Sequence, residues 1–387
     1  MANIMDYLDW RGDLAIAVDG FCEVDNLLLA QLVYVDFEGI VPAPEAGGYI
    51  TLEDASEAFW SSHDEEEILQ KVSMTKSAPF VLKKMAQTRR FAGVRLSHYI
   101  NDISDEEQSQ FSAMCVELED GSIYVSYSGT DNTIVGWREN FNMGFLAETP
   151  GQLKAVAYLN GVCGDFTGTD IRVGGHSKGG NLAVYASVKC RNSIQKRIVG
   201  IYSNDGPGFR RELVEGEAYQ RMLPKIHNIL PESAIVGMLL EHRGAYRVVK
   251  STERGVAQHD VMSWEVLGTS LVYARDVAAE SILIDETMKN WIDQLNSDER
   301  REIVDTVFDI LEEAHIYTVD DLYHCTWKQL QGFMKAKSKL PAETQRLFSK
   351  ALKLLWGTGN AALKRSVKRA VSDSLPDSKK SIKTEKI

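Results

Sequence analysis

The chain is short of the features that would place it in a membrane or an oxidising compartment. Its five cysteines (Cys22, Cys115, Cys163, Cys190 and Cys325) are odd in number, scattered, and without the CxxC spacing of redox or metal sites. They read as reduced, mostly buried thiols, which suits a cytoplasmic protein. No run approaches the roughly 18 apolar residues that a membrane span requires. The N-terminus, MANIMDYLDWRGDLAIAVDG, lacks the basic and then apolar order of a signal peptide. Positive charge is also scarce. A formal net charge of -12 argues against a general nucleic-acid binder and against docking of the whole surface on anionic lipid. No metal-ligand spacing is visible, and nothing in the sequence calls for an organic cofactor.

What is present reads as alternating strands and helices. "DNLLLAQLVYVDF" is apolar enough for a buried helix. "SAMCVELEDGSIYVSYSGT" reads as a β-hairpin around the tight-turn pair Asp120-Gly121. "PGQLKAVAYLNGVC" follows as a helix, "IRVGG" as a strand, "GGNLAVYASVKC" as a helix and "KRIVGIYSN" as a second strand. "KIHNIL" and "AYRVVKS" are further strand candidates. Such alternation over about residues 113 to 284 predicts an α/β fold with a largely parallel sheet covered on both faces. Beyond it, Ile284, Met288, Trp291, Ile292 and Leu295 make a stripe at helical spacing, and Ser297 is an N-cap candidate for the next helix. Thr318 with Asp321 and Thr326 with Gln329 look like further capping boxes. The expected division is residues 1–284 as the main domain with an N-terminal elaboration, 285–360 as a helical unit, and 361–387 as a basic, flexible tail.

The chemistry concentrates at Gly175-His176-Ser177-Lys178-Gly179, a G-x-S-x-G pattern with a strand before it and a helix after it. That context is what a nucleophile elbow needs: glycines where side chains would collide, and a serine on the turn. A serine nucleophile requires a base, and the base an acid to orient it. His259, in the polar loop "GVAQHDVMSW" after the last strand candidate, is the expected base, with His242 as runner-up. Asp205, directly after the strand "KRIVGIYSN", is the expected acid, with Glu232 one strand later as its competitor. The backbone amides of Lys178 and Thr130 are the expected oxyanion donors, Gly129 letting the chain turn before Thr130. For Thr130 a plain strand-ending turn is the competing reading.

Together these residues resemble the fungal-type lipases of the α/β-hydrolase fold, through Ser128-Gly129-Thr130, Trp137 and Gly175-His176-Ser177-Lys178-Gly179-Gly180. The resemblance implies Ser177 as nucleophile and Thr130 as oxyanion-hole residue. Lys178 stands where a leucine is usual, and a charge beside the nucleophile argues against a typical neutral-lipid substrate. A more specific resemblance is to the Mbeg-like family of bacterial lipase-like proteins. It is carried by "YLDWRGDL", "DNLLLAQLVYVDF", "GGHSKGGNLAVYA", "NDGPGF", "SAIVGMLLEH" and "QHDVMSW". The expected activity is hydrolysis of a carboxylic ester or thioester, with a small-molecule or lipid acyl ester as substrate and no cofactor. The competing reading is a non-catalytic hydrolase-like scaffold that binds a protein partner.

Overall fold

Residues 113–127 turn back on themselves at Asp120-Gly121. Gly121 takes φ +80°, the conformation that a tight turn requires, and the Asp120 carboxylate accepts the Ser122 amide at 2.9 Å. The strands so joined, β3 (Ser109–Glu117) and β4 (Ile123–Tyr127), are buried on both faces. Phe111, Ala113, Cys115, Ile123, Val125 and Tyr127 enter one hydrophobic core, whereas Met114, Val116 and Tyr124 enter the other. Period-two alternation therefore feeds two cores from one sheet, as in a sheet covered on both sides. The computed structural model describes residues 1–70, 75–104, 106, 109–130, 142–143, 146, 148–279, 281–282 and 296–313.

Among the described residues the main sheet has eight strands in sequential order. To β3 and β4 it adds β1 (Ile50–Thr51), β2 (Arg95–Ser104), β5 (Ile171–His176), β6 (Ile198–Asn204), β7 (Ile226–Pro231) and β8 (Tyr246–Val249). Strands β1 to β4 pair antiparallel, and β4 to β8 pair parallel. The parallel half directs the carboxyl ends of β4, β5, β6 and β7 to one edge, where ligands bind in open α/β sheets.

The N-terminal helices that cover one face include α1 (Ile4–Arg11), α2 (Glu23–Leu32), α3 (Leu52–Ser62) and α4 (Ala78–Met85). On the other face lie α5 (Pro150–Asp165) and α6 (Lys178–Lys189). Thr149 caps α5 in a capping box with Gln152, and Pro150 stands in its first turn. The N-terminal face is pinned by an ion pair that is wholly removed from solvent. Arg90 donates through Nε and Nη2 to the two Asp25 oxygens at 2.7 and 2.6 Å, and both side chains are 0% exposed. Two of the three remaining guanidinium N–H groups meet the carbonyls of Leu14 and Gly20, so four of its five donors are partnered.

Several sequence expectations change in detail. Helix α2 ends at Leu32, and Val33-Tyr34-Val35, a β-branched and aromatic run of poor helix propensity, leaves it through tighter turns. Strand β2 had no sequence counterpart. Beyond residue 285 the described residues hold α7 (Ser297–Glu313). Its cap is Asn296 rather than Ser297: the Asn296 Oδ1 accepts the amides of Asp298 and Glu299, and Glu299 accepts the Asn296 amide. The stripe from Ile284 to Leu295, the capping boxes at Thr318 and Thr326, and the tail lie outside the described residues.

Candidate active site

Ser177 is the single residue between β5 and α6. Its φ of +57° and ψ of -131° lie where a non-glycine residue is strained by about 1–3 kcal/mol. The turn holds because its surroundings leave no alternative. The Ser177 amide donates to the Asn204 carbonyl at 2.9 Å, and the Ser177 carbonyl accepts the Gly180 amide at 2.9 Å. A side chain at Gly175 would collide with the backbone of Gly179 and Tyr127, and one at Gly179 with the Tyr127 carbonyl. Only hydrogen fits at those two positions, so the G-x-S-x-G spacing is a steric requirement of this turn.

The floor under the turn is a set of buried amides. Asn204 donates to the Gly175 carbonyl at 3.0 Å and accepts from Asn26 of α2 at 2.9 Å. The Tyr124 hydroxyl donates to the Asn26 Oδ1 at 2.8 Å. On the far side Asn181 donates to the carbonyls of Pro207 and Gly208, clamping the Gly206-Pro207-Gly208 turn against α6.

Asp205 follows β6 at φ +50° and is 1% exposed. Its amide donates to the Ile229 carbonyl at 2.8 Å. One carboxylate oxygen accepts the Gly237 amide at 3.0 Å, and the other lies 2.6 Å from Nδ1 of His259. Gly237 has no room for a side chain, because a Cβ there would strike that carboxylate. His259 ends the short 3-10 helix Gly255–His259, after β8. The structure thus brings Asp205 and His259 together. Among the described residues no hydrogen bond or ion pair links Glu232 to His259; the Glu232 carbonyl instead accepts the Ala278 amide. His242 sits in another loop, beside Gly208.

Gly129 passes against the elbow: a side chain there would come within 2.7 Å of the His176 carbonyl and 3.1 Å of the Ser177 Cβ. Thr130, next in the chain, is half-buried at the end of this approach. Lys178 opens α6, so its amide belongs to the unsatisfied, partly positive end of a helix. Its side chain corrects the expectation of a charge beside the nucleophile. The ammonium is buried and donates to the Gln110 carbonyl at 2.5 Å, so it gives no argument about substrate. Trp137 lies outside the described residues.

Two neighbours of the site escaped the sequence reading, Tyr34 and His176. The His176 ring stands 4.5 Å from that of His259, and Nε2 is 2.8 Å from the His259 carbonyl. Burial, and then the proximity of His259, push its pKa well below the usual histidine value, so it is neutral at pH 7. The Tyr34 hydroxyl lies 3.2 Å from His176 Nδ1 and accepts the Gly129 amide at 3.0 Å. Tyr34 belongs to the "LVYVDF" stretch, whose apolar pattern masked it. His176 was hidden inside the motif itself. Among the described residues no group of His, Cys, Asp or Glu is arranged to hold a metal ion, and no helix is long and apolar enough to cross a membrane.

No curated protein matches the chain. Among solved structures it is similar to the Rhizomucor miehei lipase propeptide complex, at 17% identity over 41% of this chain, with a TM-score of 0.30. The chain spans 57% of that protein's length, and a likeness this weak carries no argument about fold or chemistry. The family comparison is stronger. The model of the Mbeg1-like family matches residues 85–309, which takes in Ser177, Asp205 and His259. With more than half of its 387 residues matched, the chain belongs to the Mbeg1-like family.

Proposed function

We propose that this protein is a serine hydrolase that cleaves a carboxylic ester or thioester through an acyl-enzyme. The observation that carries the reading is the 2.6 Å approach of Asp205 to His259 at the same sheet edge as the strained Ser177 turn. In this reading Asp205 holds the proton on Nδ1, which leaves Nε2 of His259 as the base. Nε2 takes the Ser177 proton as Oγ attacks the acyl carbon. The amides of Lys178 and Thr130 receive the resulting oxyanion. Collapse breaks the bond to the leaving oxygen or sulfur, which takes the proton from His259. Water, deprotonated by His259, then attacks the acyl-serine and releases the acid.

We place the activity in the cytoplasm, where the unpaired, buried Cys115, Cys163 and Cys190 would stay reduced. Its substrate is a small-molecule or lipid acyl ester. A panel of p-nitrophenyl esters of rising chain length, run on wild type and Ser177→Ala, tests the reading. Turnover that follows chain length and vanishes in Ser177→Ala supports it. Folded protein inert on every ester favours a scaffold that binds a protein partner.

A further inference from the structure

We propose that Tyr34 and His176 form a positioning brace that holds the main chain of His259 and the turn into Thr130 against the Ser177 elbow. The role rests on the hydrolase reading. Neither residue is placed to exchange a proton with substrate; both act through the groups that do.

His259 closes a 3-10 helix, whose last carbonyls have no partner within the helix. The His259 carbonyl is met by Nε2 of His176 at 2.8 Å. A carbonyl can only accept, so Nε2 must carry a proton. His176 is neutral, being buried beside another imidazole, so its Nδ1 is bare and can only accept. The Tyr34 hydroxyl is the donor in reach, 3.2 Å from Nδ1 and 3.2 Å from the His176 carbonyl. Burial holds the Tyr34 phenol well above its ordinary pKa, so it stays protonated. Its oxygen in turn accepts the Gly129 amide at 3.0 Å.

Read in order, the chain of bonds is Gly129 amide to Tyr34 hydroxyl, Tyr34 to His176 and His176 to the His259 carbonyl. It joins the strand end before one expected oxyanion donor to the loop that carries the expected base. Each N–H in it has one acceptor, and the single Tyr34 proton stands equally far from Nδ1 and from the carbonyl of the same residue, His176. Removing the Tyr34 hydroxyl takes away one of the two groups that favour the Nε2–H tautomer, the other being the His259 carbonyl. In the other tautomer a bare Nε2 lone pair faces the His259 carbonyl, and the base loses its main-chain anchor. Asp205 then holds the ring from one side only. A misplacement on the order of 1 Å can cost about a hundredfold in rate.

The test uses full-length protein labelled with ring-15N histidine, as wild type, Tyr34→Phe, His176→Gln and His176→Asn. Ring 15N shifts read the tautomer without reference to activity, and the rate of phosphonylation by a fluorophosphonate reads the competence of Ser177. Wild type should show His176 as neutral Nε2–H at pH 7. Tyr34→Phe should show more of the Nδ1–H form than wild type and be phosphonylated about tenfold to a hundredfold more slowly, with its melting temperature little changed. His176→Gln, whose amide reaches as far as Nε2, should keep more of the rate than the shorter His176→Asn. A wild-type His176 that is Nδ1–H or charged at pH 7 overturns the brace. So does wild-type phosphonylation in both Tyr34→Phe and His176→Asn. If wild type itself resists phosphonylation, the hydrolase reading fails, and the tautomers of wild type and Tyr34→Phe alone decide whether the brace exists.

Discussion

Oδ2 of Asp205 lies 2.6 Å from Nδ1 of His259, across 54 residues of chain, and the second Asp205 oxygen is held by the Gly237 amide. That pairing gives the carboxylate one task and the ring one orientation. Asp205→Asn should lower kcat by about 10⁴, the loss seen when an amide imposes the wrong tautomer on a triad histidine. Glu232→Gln should leave turnover within about twofold, since its side chain stands outside the pair. Steady-state kinetics on one p-nitrophenyl ester decides between them. A large loss in Glu232→Gln with Asp205→Asn active would reverse the assignment.

The elbow makes a paired prediction about glycine. Gly179→Ala drives a methyl into the Tyr127 carbonyl and should cost about 1–3 kcal/mol or more, with loss of activity. Gly161, inside α5, has open space where its Cβ would be, so Gly161→Ala should stabilise by about 0.5–1 kcal/mol. Urea midpoints with unchanged slopes measure both.

The Asp25–Arg90 pair sits in the N-terminal layer, far along the chain from Ser177. Asp25→Ala leaves a buried guanidinium without its counter-charge, which costs about 3–5 kcal/mol. The expected result is a large fall in the urea midpoint. A loss under about 1 kcal/mol would mean that water reaches Arg90 in the folded protein.

His176 also makes stability depend on pH. Its folded pKa is depressed, so above the unfolded value of about 6.5 both states are neutral and its stabilisation is complete. As pH falls through 6.5 towards the folded pKa, the unfolded chain takes up a proton that the native state refuses, and stability is lost. Between pH 7 and 5.5 wild type should lose more stability than His176→Gln. His227, also depressed by burial, contributes to both proteins and cancels. Equal losses would show that His176 is protonated in the fold.

What could be read in the sequence was what is enforced locally. The hairpin follows from Asp120-Gly121, and the strand–serine–helix turn follows from glycines whose clashes lie within the motif or on the adjacent strand. The choice between Asp205 and Glu232 was not local. It depended on which strand end faces the His259 loop, a property of sheet order. The orientation of Lys178 was equally illegible, because its acceptor, Gln110, sits 68 residues away on β3. Tyr34 was lost for a different reason. Its ring fits an apolar pattern, while its hydroxyl works across 95 residues on Gly129. Strand β2 went unread, and it carries a break in register between Ser97 and Ile100, with His98 at φ +56°.

The most direct test of the central claim is covalent labelling of the nucleophile. Folded wild-type protein is incubated with a fluorophosphonate at neutral pH, digested, and mapped by mass spectrometry. The account predicts one adduct, on Ser177, that is lost in Ser177→Ala and slowed in Asp205→Asn. An unlabelled wild type, or an adduct that persists in Ser177→Ala, would contradict it.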